Sequence, residues 1–267
     1  MFRPNALKRR LEKGKKAFGV FLELGHPPIA EITAAAGYDC ALIDREHGCQ
    51  GDIASAVPEM VAVQAHGATA LLRVPANDPV WIKLALDAGV EGIMIPAILD
   101  GAAARRAAES CRYPPKGFRG FAVPVVRGSG YGHHAEAYLR TVERELIVIG
   151  QIETGSGVEA CEAIAGTDGI DMIFIGPYDL AANLGYLGQP DHKEVVKAVA
   201  RVEKAAKKKR KWLGAIPTPG RSAADLFNDG IDLVITHCDV VMIREAARAD
   251  VAAMRKLTRR SGGKSRK

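Results

Sequence analysis

The sequence lacks long apolar runs, paired cysteines and glycine-rich phosphate-binding motifs. None of its apolar runs approaches the length that crosses a membrane, and residues 1–16 contain no apolar signal-peptide core. Its five cysteines are an odd number without a C-x-x-C pair, which argues against a disulfide framework and a zinc knuckle. No G-x-G-x-x-G or P-loop pattern follows a predicted strand, so nucleotide binding is not supported. These absences predict a cytoplasmic protein in a reducing compartment.

The net charge of +6 comes from the carboxyl-terminal end of the chain. Residues 255–267 contain seven lysine or arginine residues and no acid, whereas the rest of the chain is close to neutral. A basic patch on a folded body would indicate nucleic-acid binding, but a short basic segment with glycine and serine is typical of a solvated tail. We therefore predict a basic disordered tail at residues 258–267, with no nucleic-acid or membrane partner.

Short apolar runs alternate steadily with amphipathic segments along the 267 residues. Such runs, bounded by glycine and proline, are typical of strands buried on both faces, and intervening helices make these strands parallel. Eight strands in about 250 residues fit a closed barrel better than a doubly wound sheet. Residues 1–257 are thus predicted to form a single eight-stranded parallel β/α (TIM) barrel of the α/β class. The predicted strands are Ala17–Leu24, Cys40–Asp44, Thr69–Val74, Gly92–Pro96, Leu146–Ile152, Met172–Ile175, Trp212–Ile216 and Ile231–Ile235.

Acidic side chains close the fifth and sixth predicted strands. Glu153 follows strand five directly, and Asp179 comes shortly after strand six. The carboxyl ends of parallel strands meet at one mouth of a barrel, where ligands bind. Each acid alone is explained by its position where the chain leaves the core and meets solvent. Two oxygen ligands at one edge, however, can hold a hard divalent cation. Without a nearby cysteine or an H-x-x-x-H pair, they favour Mg²⁺, Mn²⁺ or Co²⁺ over tetrahedral zinc.

Strands two and three also end in polar side chains. Strand two ends in Asp44-Arg45-Glu46-His47, and strand three ends near Arg73. Arg73 presents a planar fork suited to a substrate carboxylate. His47 is the natural general base, and Asp44 is close enough in the chain to orient its ring and stabilise its protonated form. Taken singly, His47 and Glu46 are consistent with surface groups, and Arg73 with a salt bridge to a helix.

Several segments, in order, resemble the HpcH/HpaI aldolase family over roughly residues 16–250. They are LIDREHG, LLRVPANDPVWIKLALDAGVEGIMIP, RYPPKGFRG, GQIET and GIDMIFIGPYDLAANLG. This family consists of metal-dependent class II pyruvate aldolases, typified by 4-hydroxy-2-oxoheptanedioate aldolase and the 2-keto-3-deoxy sugar acid aldolases. The resemblance implies reversible retro-aldol cleavage of a 4-hydroxy-2-oxo acid to pyruvate and an aldehyde. It also implies a homo-oligomer, commonly a hexamer, in which the last helix packs on a neighbouring barrel.

The resemblance also implies roles for residues at the strand ends. Glu153 and Asp179 would bind the metal, and Arg73 would bind the carboxylate of pyruvate. His47 with Asp44 would form the acid/base dyad. The residues implied to line the pyruvate site are Gln151, Gly176 and Pro177, with Asp87 as a weaker outer candidate.

The sequence departs from the family pattern beside the predicted base. Arg45 stands where the family commonly has glycine, and the segment at residues 48–51 reads Gly-Cys-Gln-Gly rather than the frequent Ala-Pro-Asn. Both departures are expected where an aldehyde enters, so the acceptor is not predicted. No predicted strand contains a lysine, which argues against a Schiff-base mechanism. The alternatives that remain are a CoA-dependent lyase, a citrate-forming synthase, oxaloacetate decarboxylation and a non-catalytic binding barrel.

Overall fold

The computed structural model describes residues 3–262, and this part of the chain forms a closed β/α barrel. Eight parallel strands pair in chain order and the last pairs with the first, as the sequence predicts. The strands are β1 Ala17–Leu22, β2 Cys40–Asp44, β3 Thr69–Arg73, β4 Gly92–Ile95, β5 Ile147–Ile152, β6 Met172–Ile175, β7 Trp212–Ala215 and β8 Leu233–Cys238. The α-helices are α1 Ala6–Glu12, α2 Pro27–Ala35, α3 Ala56–Ala65, α4 Pro79–Ala88, α5 Gly101–Ser110, α6 Ala135–Glu145, α7 Gly155–Glu159, α8 Cys161–Ala165, α9 Pro177–Asn183, α10 Lys193–Lys208, α11 Ala223–Asn228 and α12 Asp239–Gly262.

The barrel interior is a packed core rather than a channel. Leu42, Leu71, Ile149 and Phe174 are among the almost fully buried side chains that fill it. Helix α1 closes the amino-terminal mouth, because Leu7 packs into the same cluster. The carboxyl-terminal mouth, where the polar side chains gather, is therefore the one available to a ligand. Among the described residues, no helix is both long and apolar enough to span a bilayer.

Strand register places the polar strand ends side by side. Asp44, the last residue of β2, is paired with Arg73, the last residue of β3. Strands β5 and β6 also end in register, and the amide of Gly176 donates to the carbonyl oxygen of Ile152 at 3.2 Å. Glu153, the next residue after β5, therefore lies beside Gly176. In a closed barrel of eight strands β1 lies opposite β5, so the end of β1 faces Glu153 across the mouth.

The last strand differs most from its predicted bounds. The sequence predicts it over Ile231–Ile235, whereas β8 continues to Cys238. The polar residues at its end are typical of a loop, but Thr236 Oγ1 donates to the carbonyl oxygen of Gly19 at 3.3 Å. Pairing with β1 resumes after a shift in register, so the strand reaches three residues further toward the mouth.

The last helix is also longer than predicted. The sequence predicts its end at Leu257, but α12 continues to Gly262. Residues 258–262 are therefore helical rather than part of a disordered tail. Arginine is a good helix former, and its charge is favoured in the last turns of a helix. The remainder of the predicted tail, residues 263–267, lies outside the described residues.

Candidate active site

A buried ion pair joins the ends of β2 and β3. Arg73 donates from Nε to Asp44 Oδ1 at 2.9 Å and from Nη2 to Asp44 Oδ2 at 2.5 Å. Asp44 is fully buried, and Arg73 is 5% exposed. Burial by itself raises the pKa of Asp44, but the hydrogen bonds and charge of Arg73 hold that pKa below its usual range. The ionised carboxylate therefore fixes the guanidinium at the edge of the mouth.

The other partners of Asp44 are backbone amides in the turn that follows β2. Glu46 N donates to Asp44 Oδ1 at 3.0 Å, and the His47 amide also hydrogen-bonds this carboxylate. The His47 ring is not among the described partners of Asp44; it is exposed and lines a cavity with Arg73. Asp44 thus positions Arg73 and the turn, and the role of His47 as a proton carrier stays a prediction.

Glu46 lies against this ion pair rather than on the open surface. Its Oε2 is 3.1 Å from Arg73 Nη1, and this buried oxygen has no hydrogen-bond partner among the described residues. Burial raises the pKa of Glu46; the charge of Arg73 opposes this effect, while Asp44 and Asp179 add to it. Its position in a loop after a strand does not distinguish it from a surface acid in the sequence. The structure thus adds a further acid to the predicted site.

Glu153 is held at the mouth by two donors. Ala97 N donates to Glu153 Oε1 at 2.8 Å, and Gln151 Nε2 donates to Glu153 Oε2. Ala97 has a φ of 51°, a conformation that alanine rarely adopts and that is common at functional sites. Burial, followed by the charge of Glu46, raises the pKa of Glu153 to about 7. Gln151 Oε1 is buried and has no hydrogen-bond partner in the described part of the chain.

The loop after β6 completes this acidic side of the mouth. Pro177 begins α9, and Asp179 lies exposed in the first turn of that helix, where it lines the same cavity as Gln151. Gly176 packs against Glu153, because a Cβ atom at this position would lie 2.9 Å from Glu153 Oε2. A side chain here would displace the carboxylate, so glycine is required by close approach.

These residues fit a hard divalent cation. The available donors are oxygens: Asp179 and Gln151 line the cavity, and the Glu153 carboxylate, which lies outside the lining, is bonded to Gln151 and feels the charge of Asp179. Mg²⁺, Mn²⁺ and Co²⁺ all accept oxygen donors of this kind. Asp44 already engages Arg73, so Arg73 offsets little of the negative charge around Glu153. A bound cation would favour the ionised carboxylate and so oppose the burial and the repulsion that raise the pKa of Glu153.

The cavity between the strand ends has a volume of about 360 Å³, which suits a small organic acid. Its lining includes Arg73, Gln151 and Asp179 together with the aromatic rings of Phe21, Phe174 and Tyr178. The guanidinium carbon of Arg73 lies 5.1 Å from the ring centroid of Phe21, which meets Phe174 edge to face. The sequence-predicted residues Arg73, Gln151, Gly176, Asp179 and His47 all line this cavity.

The wall formed by β1 and β8 carries an acid that the sequence did not single out. Glu23 follows β1 and lines the cavity with residues 236–238 of β8. Asp239 accepts hydrogen bonds from the amides of Glu23 at 3.0 Å and Leu24 at 3.1 Å. Glu23, Cys238 and Asp239 offer ligand atoms within 4.8 Å of one another. Through its hydrogen bonds to the amides of Glu23 and Leu24, Asp239 braces the chain after β1.

Arg45 points away from the mouth. Its side chain is 2% exposed, and it donates from Nε to the Asp52 carbonyl oxygen at 3.0 Å and from Nη1 to that of Asp44 at 3.0 Å. Nη2 forms a buried ion pair with Glu59 of α3. Arg45 therefore braces the loop after β2, and the expectation that it lies on the path of an aldehyde is wrong.

Asp87 belongs to a separate cluster. Arg119 Nη2 donates to Asp87 Oδ1 at 2.8 Å, and the guanidinium of Arg119 stacks 4.7 Å from the ring centroid of Tyr113. Asp87 is not among the residues that line the cavity. It fastens the long connection after α5 to α4, and this contact accounts for it without a part in the site.

Comparison with known proteins identifies the family of the chain. A family model described as HpcH/HpaI aldolase/citrate lyase matches residues 17–254. The chain belongs to this family. It is 33% identical over 253 residues to a 5-keto-4-deoxy-D-glucarate aldolase of Klebsiella pneumoniae, covering 95% of this chain and 98% of the relative. It is 35% identical over 245 residues to a pyruvate aldolase of Rhizobium etli, covering 92% and 95%.

The fold of the chain also resembles that of a solved member of the family. The crystal structure of an HpcH/HpaI aldolase/citrate lyase family protein from Burkholderia cenocepacia superposes with a TM-score of 0.88 at 36% identity, covering 94% of this chain and 99% of that one. The family resemblance seen in the sequence is therefore confirmed. The relatives named above are aldolases, which are carbon–carbon lyases, and the chain is an enzyme of this class.

The raised pKa of Glu153 predicts that the metal-free protein loses stability as pH rises. The carboxyl titrates near 4.5 when unconstrained and at about 7 in the fold, so the folded state binds the proton more tightly between these values. The free energy of unfolding should therefore fall by about 3 kcal/mol across this interval. A cation favours the ionised form, so Mn²⁺ should stabilise the protein more above pH 7 than below it. Urea unfolding with and without Mn²⁺ at both ends of the interval measures these changes in the free energy of unfolding.

The matched variant for this prediction is Glu153→Gln, which cannot titrate at this position. Its stability should change less between pH 4.5 and 7 than that of the wild type, because the proton linkage at residue 153 is gone. An Mn²⁺ effect of equal size on both proteins at both ends of the interval would contradict the assignment of Glu153.

Proposed function

We propose that this enzyme is a class II aldolase that reversibly cleaves a 4-hydroxy-2-oxo acid to pyruvate and an aldehyde, with a divalent cation as cofactor. One observation carries this proposal: Arg73, Gln151 and Asp179 line one cavity at the barrel mouth, and the Glu153 carboxylate is joined to this lining by the hydrogen bond that it accepts from Gln151. The names of the relatives, a 5-keto-4-deoxy-D-glucarate aldolase and a pyruvate aldolase, support the same class of reaction. Mg²⁺, Mn²⁺ and Co²⁺ are the candidate cations.

Arg73 is the binding group for the substrate carboxylate. Asp44 engages Nε and Nη2, so Nη1 is the edge left for a ligand. Glu46 lies 3.1 Å from Nη1 in the free protein, and burial raises its pKa. A substrate carboxylate would replace Glu46 at this edge and form a charge-assisted hydrogen bond to Nη1.

Glu153 and Asp179 would hold the cation, which would stabilise the negative charge that develops on the keto oxygen of the substrate. Gln151 has two roles: Nε2 holds Glu153 in place, and the unpartnered Oε1 faces the same region. Gly176 lines the cavity and would present its backbone to the keto acid, whereas Pro177, which begins α9, is not among the described residues that line it.

His47 carries the proton in this proposal. In the cleavage direction its ring takes the proton of the C4 hydroxyl, the bond between C3 and C4 breaks, the aldehyde leaves, and the methyl carbon of pyruvate is protonated. The ring is exposed in the cavity, so it can turn toward a bound substrate. None of the strands β1 to β8 contains a lysine, and no lysine in the described part of the chain lines the cavity, which disfavours a Schiff base.

Exchange of the pyruvate methyl protons tests this function without the unknown aldehyde. In deuterated water with saturating Mn²⁺, NMR should show loss of the methyl signal, and excess chelator should stop it. Replacing His47 with alanine should slow exchange about a hundredfold. His237→Ala removes the other imidazole that lines the cavity and should change the rate only a few-fold.

The same experiment separates the alternatives. A CoA-dependent lyase should require an acyl-CoA before exchange begins, and a non-catalytic barrel should give none. Exchange that persists in excess chelator would refute the cation, whereas wild-type pyruvate that stays protonated with saturating Mn²⁺ would refute the aldolase assignment.

We also propose that the protein is a homo-oligomer, a hexamer on the family resemblance, in which α12 packs on a neighbouring barrel. The first turn of this helix is fixed to β1 through Asp239, but its later side chains are exposed along the described length. They include Ile243, Val251, Met254 and Leu257, all large apolar residues. Apolar side chains spread along a projecting helix are typical of a surface covered in the assembly.

Replacing Val251, Met254 and Leu257 together with lysine should therefore dissociate the oligomer. Burying three lysines in an apolar interface costs far more than the surface exchange costs in the monomer. Sedimentation velocity should show a smaller species with unchanged helical circular dichroism. A variant that ends at Gly262 is the control and should keep the wild-type assembly; a triple variant of wild-type size would contradict the proposed role of α12.

A further inference from the structure

Glu23 places a carboxylate on the side of the cavity away from the proposed metal ligands. It follows β1, which lies opposite β5 in the closed barrel, so it faces Glu153 across the mouth. Its backbone is fixed, because Asp239 accepts from the amide of Glu23 at 3.0 Å and from that of Leu24 at 3.1 Å. The half-buried carboxylate is therefore a built part of the wall rather than a mobile surface group.

Among the described residues, Glu23 has no cation that pairs with it alone. Burial raises its pKa first, and the charges of Asp44 and Asp239 raise it further. A hydrogen bond with the Cys238 side chain opposes this shift, and the charge of Arg73 opposes it least. Arg73 is already held by Asp44 through hydrogen bonds of 2.9 and 2.5 Å. This wall of the cavity is consequently electronegative.

The direction of the substrate brings its far end to this wall. The keto acid end is assigned above to Arg73, Gln151 and the acids after β5 and β6. A chain that continues from C4 must leave that corner, and the wall on the β1 and β8 side of the cavity of about 360 Å³ includes Glu23 and residues 236–238. The group at the far end of the aldehyde portion therefore meets Glu23.

We propose that Glu23 determines which aldehydes the enzyme accepts: it excludes those with a distal carboxylate and favours those whose distal end is uncharged and hydroxylated. This inference rests on the proposed aldolase function. Two carboxylates close together in a partly desolvated cavity repel strongly, whereas a hydroxyl group donates a hydrogen bond to a carboxylate. Specificity arises from this difference between a repelled and an accepted ligand.

A pair of uncleavable ligands tests the inference by binding alone. 2-Oxohexanoate and 2-oxoadipate share a six-carbon chain and the keto acid end, lack the C4 hydroxyl, and differ in the distal carboxylate. Calorimetry with Mn²⁺ should show that the wild type binds 2-oxohexanoate more tightly. Glu23→Gln should shift the ratio of the two affinities toward 2-oxoadipate by about tenfold, since one close like-charge contact is removed. Glu31→Gln, which removes an exposed acid on α2, should leave the ratio unchanged.

Turnover should follow binding. In aldol addition to pyruvate, Glu23→Gln should raise kcat/KM for succinic semialdehyde relative to glycolaldehyde in the same direction. Methyl exchange with pyruvate alone should stay within a few-fold of the wild type, because pyruvate has no aldehyde portion to meet Glu23. If exchange is normal but the Glu23→Gln ratio lies within twofold of the wild type, the role of Glu23 is refuted and the aldolase function stands. If wild-type pyruvate does not exchange, both proposals fall.

Discussion

Glu153→Gln is expected to lower the rate of pyruvate methyl exchange by about a thousandfold, because it removes a charged oxygen ligand and with it the stabilisation of charge on the keto oxygen. Glu153 now accepts from Ala97 N at 2.8 Å and from Gln151 Nε2. An amide at this position must set its own NH₂ group against one of these donors. The change therefore weakens the cation site in both charge and geometry. The rate is measured by NMR in deuterated water across a series of Mn²⁺ concentrations.

Stability distinguishes a lost ligand from a damaged fold. The pKa of Glu153 is raised to about 7, so much of the metal-free protein at neutral pH already carries an uncharged side chain there. Glu153→Gln should consequently unfold at nearly the same urea concentration as the metal-free wild type. Asp179→Asn should reproduce the loss of exchange, since it removes the second carboxylate, while Glu31→Gln should retain the wild-type rate. Full exchange in either site variant at moderate Mn²⁺ would show that the cation is held elsewhere.

The barrel and its acidic corner were predictable because both depend on local sequence. Short apolar runs between amphipathic segments determine parallel strands, and the first polar residue after a buried strand must lie at the mouth. Glu153 and Asp179 were located by this rule alone. Arg73 was located in the same way, as the residue that ends β3.

The partners of these residues were not predictable, since they depend on register and on the direction of side chains. Asp44 was expected to orient the His47 ring, its neighbour in the chain, but strand register sets it beside Arg73, a permanent cation that a fully buried carboxylate requires. Arg45 was expected at the mouth, yet it pairs with Glu59 beneath the loop. Glu23 was missed because the first strand was predicted to run to Leu24, which placed Glu23 inside the strand; β1 ends at Leu22, so Glu23 is the first residue after it.

Arg73→Met is expected to lower the free energy of unfolding by about 3–5 kcal/mol, because it leaves the fully buried Asp44 carboxylate without its partner. Asp44→Asn should have a cost of similar order, since it leaves the Arg73 charge unpaired. The double variant should be less destabilised than the sum of the two by about 2 kcal/mol or more. Urea unfolding of the four proteins at neutral pH, with Mn²⁺ removed, completes the cycle; additive effects would contradict the pairing.

The pH dependence of this prediction has a defined sign. Arg73 holds the pKa of Asp44 below the unconstrained value of 3.8, so the pair's contribution is present above that value and is lost as pH falls through the folded pKa. Without Arg73, burial raises the pKa of Asp44 and only the backbone amides of Glu46 and His47 oppose it, so the folded variant binds a proton more tightly than the folded wild type. The stability difference between wild type and Arg73→Met should therefore widen as pH rises from about 3 to 6. Other carboxylates titrate in both proteins, and the comparison cancels them.

Arg73→Lys separates the two roles of this side chain, which are to neutralise the buried Asp44 carboxylate and to bind the substrate carboxylate. A lysine keeps a positive charge beside Asp44 but cannot donate two parallel hydrogen bonds and still offer a third edge to a ligand. We expect it to recover most of the stability lost in Arg73→Met while pyruvate binding stays weakened by about tenfold or more. Calorimetric titration with pyruvate and Mn²⁺ measures the second effect. Recovery of both properties would mean that Arg73 acts as a counter-ion for Asp44 and does not bind the substrate through Nη1.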